Sequence, residues 1–445
     1  GHLFTEYIVK ASDTIIENIG NNGGVYDDGI DTFITGKNPN NYIWYSGKLW
    51  RAVSVNNNAK TIKLVTQWDI STNNRSGGSS KGAEMDMWLN DTTVDGFLGN
   101  LREPEKFIVT NAKWDTTLNS AILGSVKRPN GTNTYTNAVG LLNLYEYQES
   151  FRGTDYSNGY LNTDNYWWTL TSSSDNTSGY YIDGNGYSYT GYYGSSSYGV
   201  RPSIVLKSDV KIVSGNGSEK DPYRLSGDND TELNGVKLNT RYSGEYISFG
   251  IGENNLYRIV SHENGIGTKI TSADLLKKSK SYVTQSFDSS IKYNISYSSN
   301  TVIGKFLNGE YLTDYVGNDY IDMIEDETTW YLGKIKSGSY KLAKYTNESG
   351  TTLTSSVTTA KVGLLRHGEL MAGHFGEYNA DRNYWLLTPY DEYDMRYIGN
   401  FNGNPSYKDY PSKGKGIKPA LNLKENVIIT SGDGTKNNPF ELSLS

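Results

Sequence analysis

Apolar and polar positions alternate along NYIWYSGKLWRAVSV, residues 41–55, on both sides of Ser46-Gly47, and TIKLVTQ, residues 61–67, continues the alternation. A period of two places every second side chain on one face, so the pattern predicts a hairpin turning at Ser46-Gly47 and a further strand. Residues 3–20 change to helical spacing, with Phe4, Tyr7, Ile8, Ala11, Ile15 and Ile19 on one stripe and Gly20 as the stop. They predict an N-terminal amphipathic helix over 3–23 that docks on the first half of the chain. Residues 85–97 and 138–151 also have helical spacing, whereas the last third of each half alternates like strands. The expected class is α+β, mostly antiparallel β, with few short helices.

The pattern occurs twice. Leu49-Trp50-Arg51-Ala52-Val53 recurs as Leu256-Tyr257-Arg258-Ile259-Val260, and Trp88-Leu89-Asn90 as Phe306-Leu307-Asn308. Val139-Gly140-Leu141-Leu142 recurs as Val362-Gly363-Leu364-Leu365, followed by Glu146 and Glu369. Asn165-Tyr166-Trp167 matches Asn383-Tyr384-Trp385, and Gly199-Val200-Arg201-Pro202 matches Gly416-Ile417-Lys418-Pro419. Both halves close on Ser-Gly-Asn/Asp-Gly, at Ser214 and Ser431. Blocks in one order at a nearly constant offset predict two homologous modules in tandem. Module one covers 24–227, a polar linker 228–235, and module two 236–445. The offset lengthens after Val260, so module two carries an insertion within 277–300.

Composition narrows the function classes. The 445 residues are 20% charged with net charge -7, which lacks the basic footprint of a nucleic-acid binder. There are 37 Tyr and 48 Gly but no Cys, which excludes disulfides, thiolate catalysis and cysteine-ligated metal. No run approaches the ~18 apolar residues of a membrane-spanning helix, and no leader pattern is present. Gly1-His2 reads as a vector-derived start, so an anchor outside this sequence is expected.

The blocks Asn38-Pro39-Asn40-Asn41-Tyr42 through Trp50-Arg51, Tyr166-Trp167-Trp168-Thr169-Leu170-Thr171 and Gly199-Val200-Arg201-Pro202-Ser203-Ile204 carry a resemblance. The chain is similar to a module of secreted, pilin-like and surface proteins of low-GC Gram-positive gut bacteria, with YWWLRSP and GVRPAL motifs. The resemblance spans nearly all of both modules and implies an extracellular, cell-surface location. It implies no shared activity. Module two departs from it in lacking the NPNN run and in having Lys418 for the arginine. More remotely, paired aromatics followed by G-V-R-P resemble the last strands of the C-type-lectin-like fold, which displays variable loops on a rigid core.

The richest candidate region is 179–199, GYYIDGNGYSYTGYYGSSSYG. Asp183-Gly184-Asn185-Gly186 can turn a hairpin. Tyrosine offers broad, stiff, amphipathic contact area with glycine and serine adapting around it, the mix that paratopes use. Tyr180, Tyr181, Tyr187, Tyr189, Tyr192 and Tyr193 are the candidate ligand-binding residues. Trp168 joins them because Leu386 stands at its counterpart in the block match, which marks it as the outward member of its pair. Ordinary cross-strand pairing would produce the same composition. Module two, over 390–416, gains Asp391, Asp394, Arg396 and several lysines. Trp50, Trp88 and Trp114 and their counterparts Tyr257, Phe306 and Trp330 read as core.

Metal and catalytic readings are weaker. His367 and His374 flank Glu369 without the i, i+4 spacing of a helical zinc motif. The acidic turns at 27–29, 183–186 and 228–230 supply calcium-type oxygens but no EF-hand spacing, so no cofactor is expected, with calcium the one to consider. Glu146 and Glu369 are the carboxylates a glycosidase would need, or else helix caps. No nucleophile elbow, P-loop or dinucleotide fingerprint occurs, and an enzyme is not expected. The expected role is an adhesin-like protein whose partner is a host glycan or a host secreted or surface protein. The alternatives are a structural subunit or spacer of a pilus, fibre or envelope, and capture of a host protein such as immunoglobulin.

Overall fold

In the computed structural model, residues 9–73, 81–118, 122–152, 155–194, 196, 198–262, 267–289, 294–336, 344–347, 351–371, 383–399 and 407–445 are described. The chain is mostly β, with mostly antiparallel sheets and short helices. It divides into two compact units, residues 1–70 with 74–230, and residues 231–445 with 71–73.

Unit one is built on the predicted hairpin. Tyr42–Tyr45 and Lys48–Asn56 pair antiparallel with Tyr45 opposite Lys48. Ser46 and Gly47 both take positive φ, 56° and 74°, the conformation that matches a two-residue turn to the strand twist. Ile62–Thr66 pairs with the second strand and Ser203–Leu206 with Ile62–Thr66. On the far side Tyr223–Leu225 adds in parallel to Tyr42–Tyr45, and Lys211–Ser214 pairs with it. Trp50, Trp88 and Trp114 are buried, as are Tyr257, Phe306 and Trp330 in unit two.

The helical spacing overstates the helices. The N-terminal helix runs only over Ala11–Glu17, because Val9–Lys10 is drawn into a strand against Ile212 and Lys211. Ala11, Ser12 and Ile15 are its buried side; Phe4 and Tyr7 lie outside the described residues. In 138–151 the helix is confined to Leu144–Glu149. The residues before it are extended, since Gly140 exchanges backbone hydrogen bonds with Ser203.

Unit two has a sheet in the order Tyr246–Ser248, Leu256–His262, Thr268–Ser272, Ala420–Leu423, Val362–Gly363. Particular bonds occur in both units. Asn90 Nδ2 donates to Val139 O and its Oδ1 accepts from Val139 N; Asn308 does the same with Val362. Trp114 Nε1 donates to Asn137 O at 2.9 Å and Trp330 Nε1 to Ala360 O at 3.0 Å. Gly140 and Gly363 lie under those two indoles, where a Cβ would come within 2.3 Å and 2.6 Å of the ring. The 228–235 stretch is held at both ends: Asp230 pairs with Arg102 at 2.7 Å, while Leu233 is buried and Gly235 N donates to Ile429 O.

Candidate binding surface

The Tyr-rich region of unit one folds as a three-strand ribbon. Trp167–Ser172 pairs antiparallel with Ser178–Ile182, which pairs antiparallel with Ser188–Tyr192. Asp183 makes the predicted turn, its Oδ1 accepting from Asn185 N and Tyr187 N, both at 2.9 Å. Tyr198–Val200 lies along the first strand in parallel, with Trp167 opposite Gly199.

Pleating then sorts the side chains. Trp168, Tyr181 and Tyr189 stand opposite one another and share one face. Tyr166 and Tyr198 join them by alternation. Tyr181 and Tyr198 stack with centroids 3.9 Å apart at 24°, and Tyr166 stacks on Tyr181 at 5.8 Å and 20°. Tyr189 extends the row at 6.1 Å from Tyr181 and is 52% exposed. Tyr166, Tyr181 and Tyr198 are half-buried, so their free surface continues that of Tyr189. Burial, then the Tyr198 hydroxyl, push the Tyr181 phenol above its usual value.

Trp168 is not exposed as expected; it is fully buried. Tyr198 crosses it at 4.8 Å, Tyr193 at 5.9 Å and Tyr181 at 6.3 Å, a second aromatic layer that seals the indole. The comparison with Leu386 failed through register. Leu170 N donates to Leu142 O and Leu387 N to Leu365 O. Leu144 N donates to Thr171 Oγ1 and His367 N to Thr388 Oγ1, both at 2.9 Å. Trp168 therefore corresponds to Trp385, also buried, and not to Leu386. The block match on Asn-Tyr-Trp was out by one, so Leu386 says nothing about Trp168; Trp168 lies on the face of Tyr181 and Tyr189 but beneath the tyrosines that cover it.

Tyr193 is likewise buried, its hydroxyl 2.7 Å from Ser172 Oγ. It lies over Gly179, where a Cβ would come within 2.5 Å of its ring. Tyr180 is half-buried and, by alternation, faces away from Tyr181. Tyr192 is 68% exposed, on the face opposite Tyr189. Tyr187 is exposed at the hairpin turn and packs edge-on against Tyr156 at 5.4 Å. The structure thus brings Tyr181 and Tyr189 together, withdraws Trp168 and Tyr193, and disperses Tyr180, Tyr187 and Tyr192. Tyr166 and Tyr198 were missed. Their signal was parity: each stands one residue from a Trp167-facing position, on the Trp168 side.

Unit two has the same ribbon with different chemistry. Trp385 stands opposite Tyr397, and Tyr397 opposite Tyr407 with rings stacked at 5.6 Å. Lys415, 4.1 Å above the Tyr397 ring and 2.7 Å from Asp409, lies one residue before Gly416, as Tyr198 lies before Gly199.

The remaining candidates are explained locally. Glu146 closes a capping box with Asn143, and Glu369 Oε1 accepts from Arg366 N at 3.0 Å. His367 is buried, and burial with Arg396 and Arg366 nearby holds its imidazole well below the usual value. His374 lies outside the described residues. Asp28 takes hydrogen bonds from Ile30 N, Asp31 N, Arg128 and Tyr145. Among the described residues no cluster of three or more His, Cys, Asp or Glu is placed to hold a metal ion. Among them, too, no helix is long and apolar enough to cross a membrane. No family model, curated protein or solved structure matches the chain.

Proposed function

We propose that the chain is an extracellular, surface-exposed binding protein that recognises a host glycan, or the glycan of a host glycoprotein, on the Tyr166–Tyr181–Tyr198–Tyr189 platform. The observation that carries this reading is the layered packing. Half-exposed phenol faces rest on a fully buried Trp168, which leaves them open on one side and fixed from beneath. Rigid aromatic faces suit ligands with a flat apolar side and a polar rim, because little side-chain entropy is lost on contact. The phenol hydroxyls supply donors and acceptors for that rim.

The same reading takes the two units as diverged copies of one module, possessing a C-type-lectin-like plan. Its support is the set of bonds repeated at Asn90 and Asn308, Trp114 and Trp330, and Thr171 and Thr388. Binding belongs to unit one, since Lys415 covers the corresponding ring in unit two. No catalytic step is assigned: Glu146 and Glu369 are engaged in capping and ion pairs.

The test is a screen of the intact chain against arrayed host glycans and secreted host proteins, with a Tyr181→Ala/Tyr189→Ala variant beside it. A hit lost in the variant is the expected result. A hit that survives moves the surface elsewhere, and a blank array favours a structural subunit of a pilus or envelope.

A further inference from the structure

A second feature of unit one lies apart from the tyrosine platform. Lys63 leaves its strand toward Glu146, 2.7 Å away, and stands 5.0 Å from the centroid of the Trp114 ring. In unit two Lys269 is held identically, 3.1 Å from Glu369 and 5.1 Å from the centroid of Trp330. Each glutamate also uses its other oxygen to cap its helix. The frame of lysine, glutamate and indole is therefore the same in both units.

The space in front of the lysine differs. In unit two the Tyr345 hydroxyl accepts from Lys269 Nζ at 3.0 Å. The ammonium is 5.0 Å from that ring's centroid, so it stands at the phenol oxygen and not over the ring face. Tyr345 stacks on Tyr331 at 4.6 Å and 23°. Arg366 clamps the segment by donating to Tyr331 O and Thr346 O. The lysine and glutamate are then sealed, at 2% and 1% side-chain exposure.

In unit one Asn143 stands where Arg366 does, and Asp115 follows Trp114 where Tyr331 follows Trp330. Among the described residues, Lys63 Nζ has no hydrogen-bond acceptor but Glu146, and it is 20% exposed. In front of it is a cleft of about 670 Å³. Its walls include the apolar Ile30, Val109 and Val205 and the polar Asn143 and Tyr145. Arg128, which also lines the cleft, is engaged by Asp28 and Asp31, each at 2.6 Å. Lys113, which is exposed, also lines the cleft, but Lys63 is the cation whose Glu146 and Trp114 partners match those of Lys269 in unit two.

We propose that this cleft binds a phenol-bearing ligand, its hydroxyl accepting from Lys63 Nζ as the Tyr345 hydroxyl accepts from Lys269. Unit two carries its phenol within its own chain; unit one takes one from outside. The source is either a tyrosine side chain of a peptide or a free phenolic molecule.

The test uses p-cresol as probe, followed by saturation-transfer NMR on the intact chain. The expected result is a saturable signal that falls about tenfold in Lys63→Met, the scale of one charge-assisted hydrogen bond, and about tenfold for toluene in place of p-cresol. Thr61→Trp, which fills the cleft while leaving the Lys63–Glu146 pair, should abolish it even if Lys63→Met folds poorly. Tyr345→Ala opens the unit-two counterpart, and p-cresol should raise the Tm of that variant. An acetylated tyrosinamide peptide binding at least tenfold more tightly than p-cresol assigns the cleft to a peptide tyrosine; equal affinity assigns it to a free phenol. Absence of a wild-type signal, equal binding of toluene, or binding that persists in Thr61→Trp would each overturn the proposal.

Discussion

The two ribbons place different groups on one frame. In unit one the residue before the closing glycine is Tyr198, which stacks on Tyr181 at 3.9 Å and leaves a row of phenols open at Tyr189. In unit two that place belongs to Lys415, whose ammonium stands over Tyr397 at 4.1 Å and is tied to Asp409. A ring on a ring keeps an aromatic face available beyond it, whereas a paired cation covers the face and makes it polar. The buried tryptophan under both, Trp168 or Trp385, is indifferent to the choice. The core of the ribbon therefore serves as the support, and the residue one position before Gly199 or Gly416 decides what the surface offers.

The largest test of that division is removal of the support. Trp168→Ala and Trp385→Ala should each cost about 3–5 kcal/mol, as cavities in a packed aromatic core do, read from urea unfolding. A cost under about 1 kcal/mol in either unit would mean that the tryptophan does not hold its ribbon. Next, Gly179→Ala forces a methyl to within 2.5 Å of the Tyr193 ring. A loss of about 1–3 kcal/mol is expected from such overpacking, and a neutral result would place Tyr193 elsewhere.

The glycines themselves separate the units by pH. A Cβ on Gly199 would stand 1.9 Å from Asp69 Oδ2, while one on Gly416 would meet Leu275 Cδ2 at 2.3 Å. The Asp69 carboxylate oxygens are sealed and unpaired, and burial raises its pKa to about 7 against the opposing pull of Arg201. A raised carboxyl keeps its proton in the folded chain after the unfolded chain has lost it. Its contribution is complete below pH ~4 and is lost as pH rises toward about 7. Unit one should lose stability across that window at up to about 1.4 kcal/mol per pH unit, and Asp69→Asn should flatten the slope. A slope unchanged by Asp69→Asn would show that the group does not titrate there.

A smaller effect sharpens the surface comparison. Tyr198→Lys should carry unit one toward the unit-two arrangement, changing stability by no more than the ~0.5–2 kcal/mol of a ring–cation contact while closing the platform to its ligand. Lost stability well beyond that would make Tyr198 part of the support.

Much of the frame was legible in the sequence, and the surface was not. The Ser46-Gly47 and Asp183 turns, the core tryptophans and the helix-capping glutamates follow from local rules, since each depends on residues a few positions away. Trp168 was misplaced because its counterpart depends on register, set by Leu170 bonding to Leu142, and its burial on Tyr193 and Tyr198, which reach it from other strands. Helical spacing over 138–151 was overridden by Gly140 pairing with Ser203. The Lys63–Glu146 pair joins a strand to a distant helix and left no pattern along the chain.

The central claim is that one face of the ribbon binds, and Tyr189 and Tyr192 isolate it. Both are exposed, they lie on the same strand, and they point to opposite faces. Affinity for the strongest glycan or glycoprotein ligand of the array should fall at least about tenfold in Tyr189→Ala, the scale of a lost aromatic contact, and remain within about twofold in Tyr192→Ala. Equal losses, or a loss confined to Tyr192→Ala, would contradict the platform as the site.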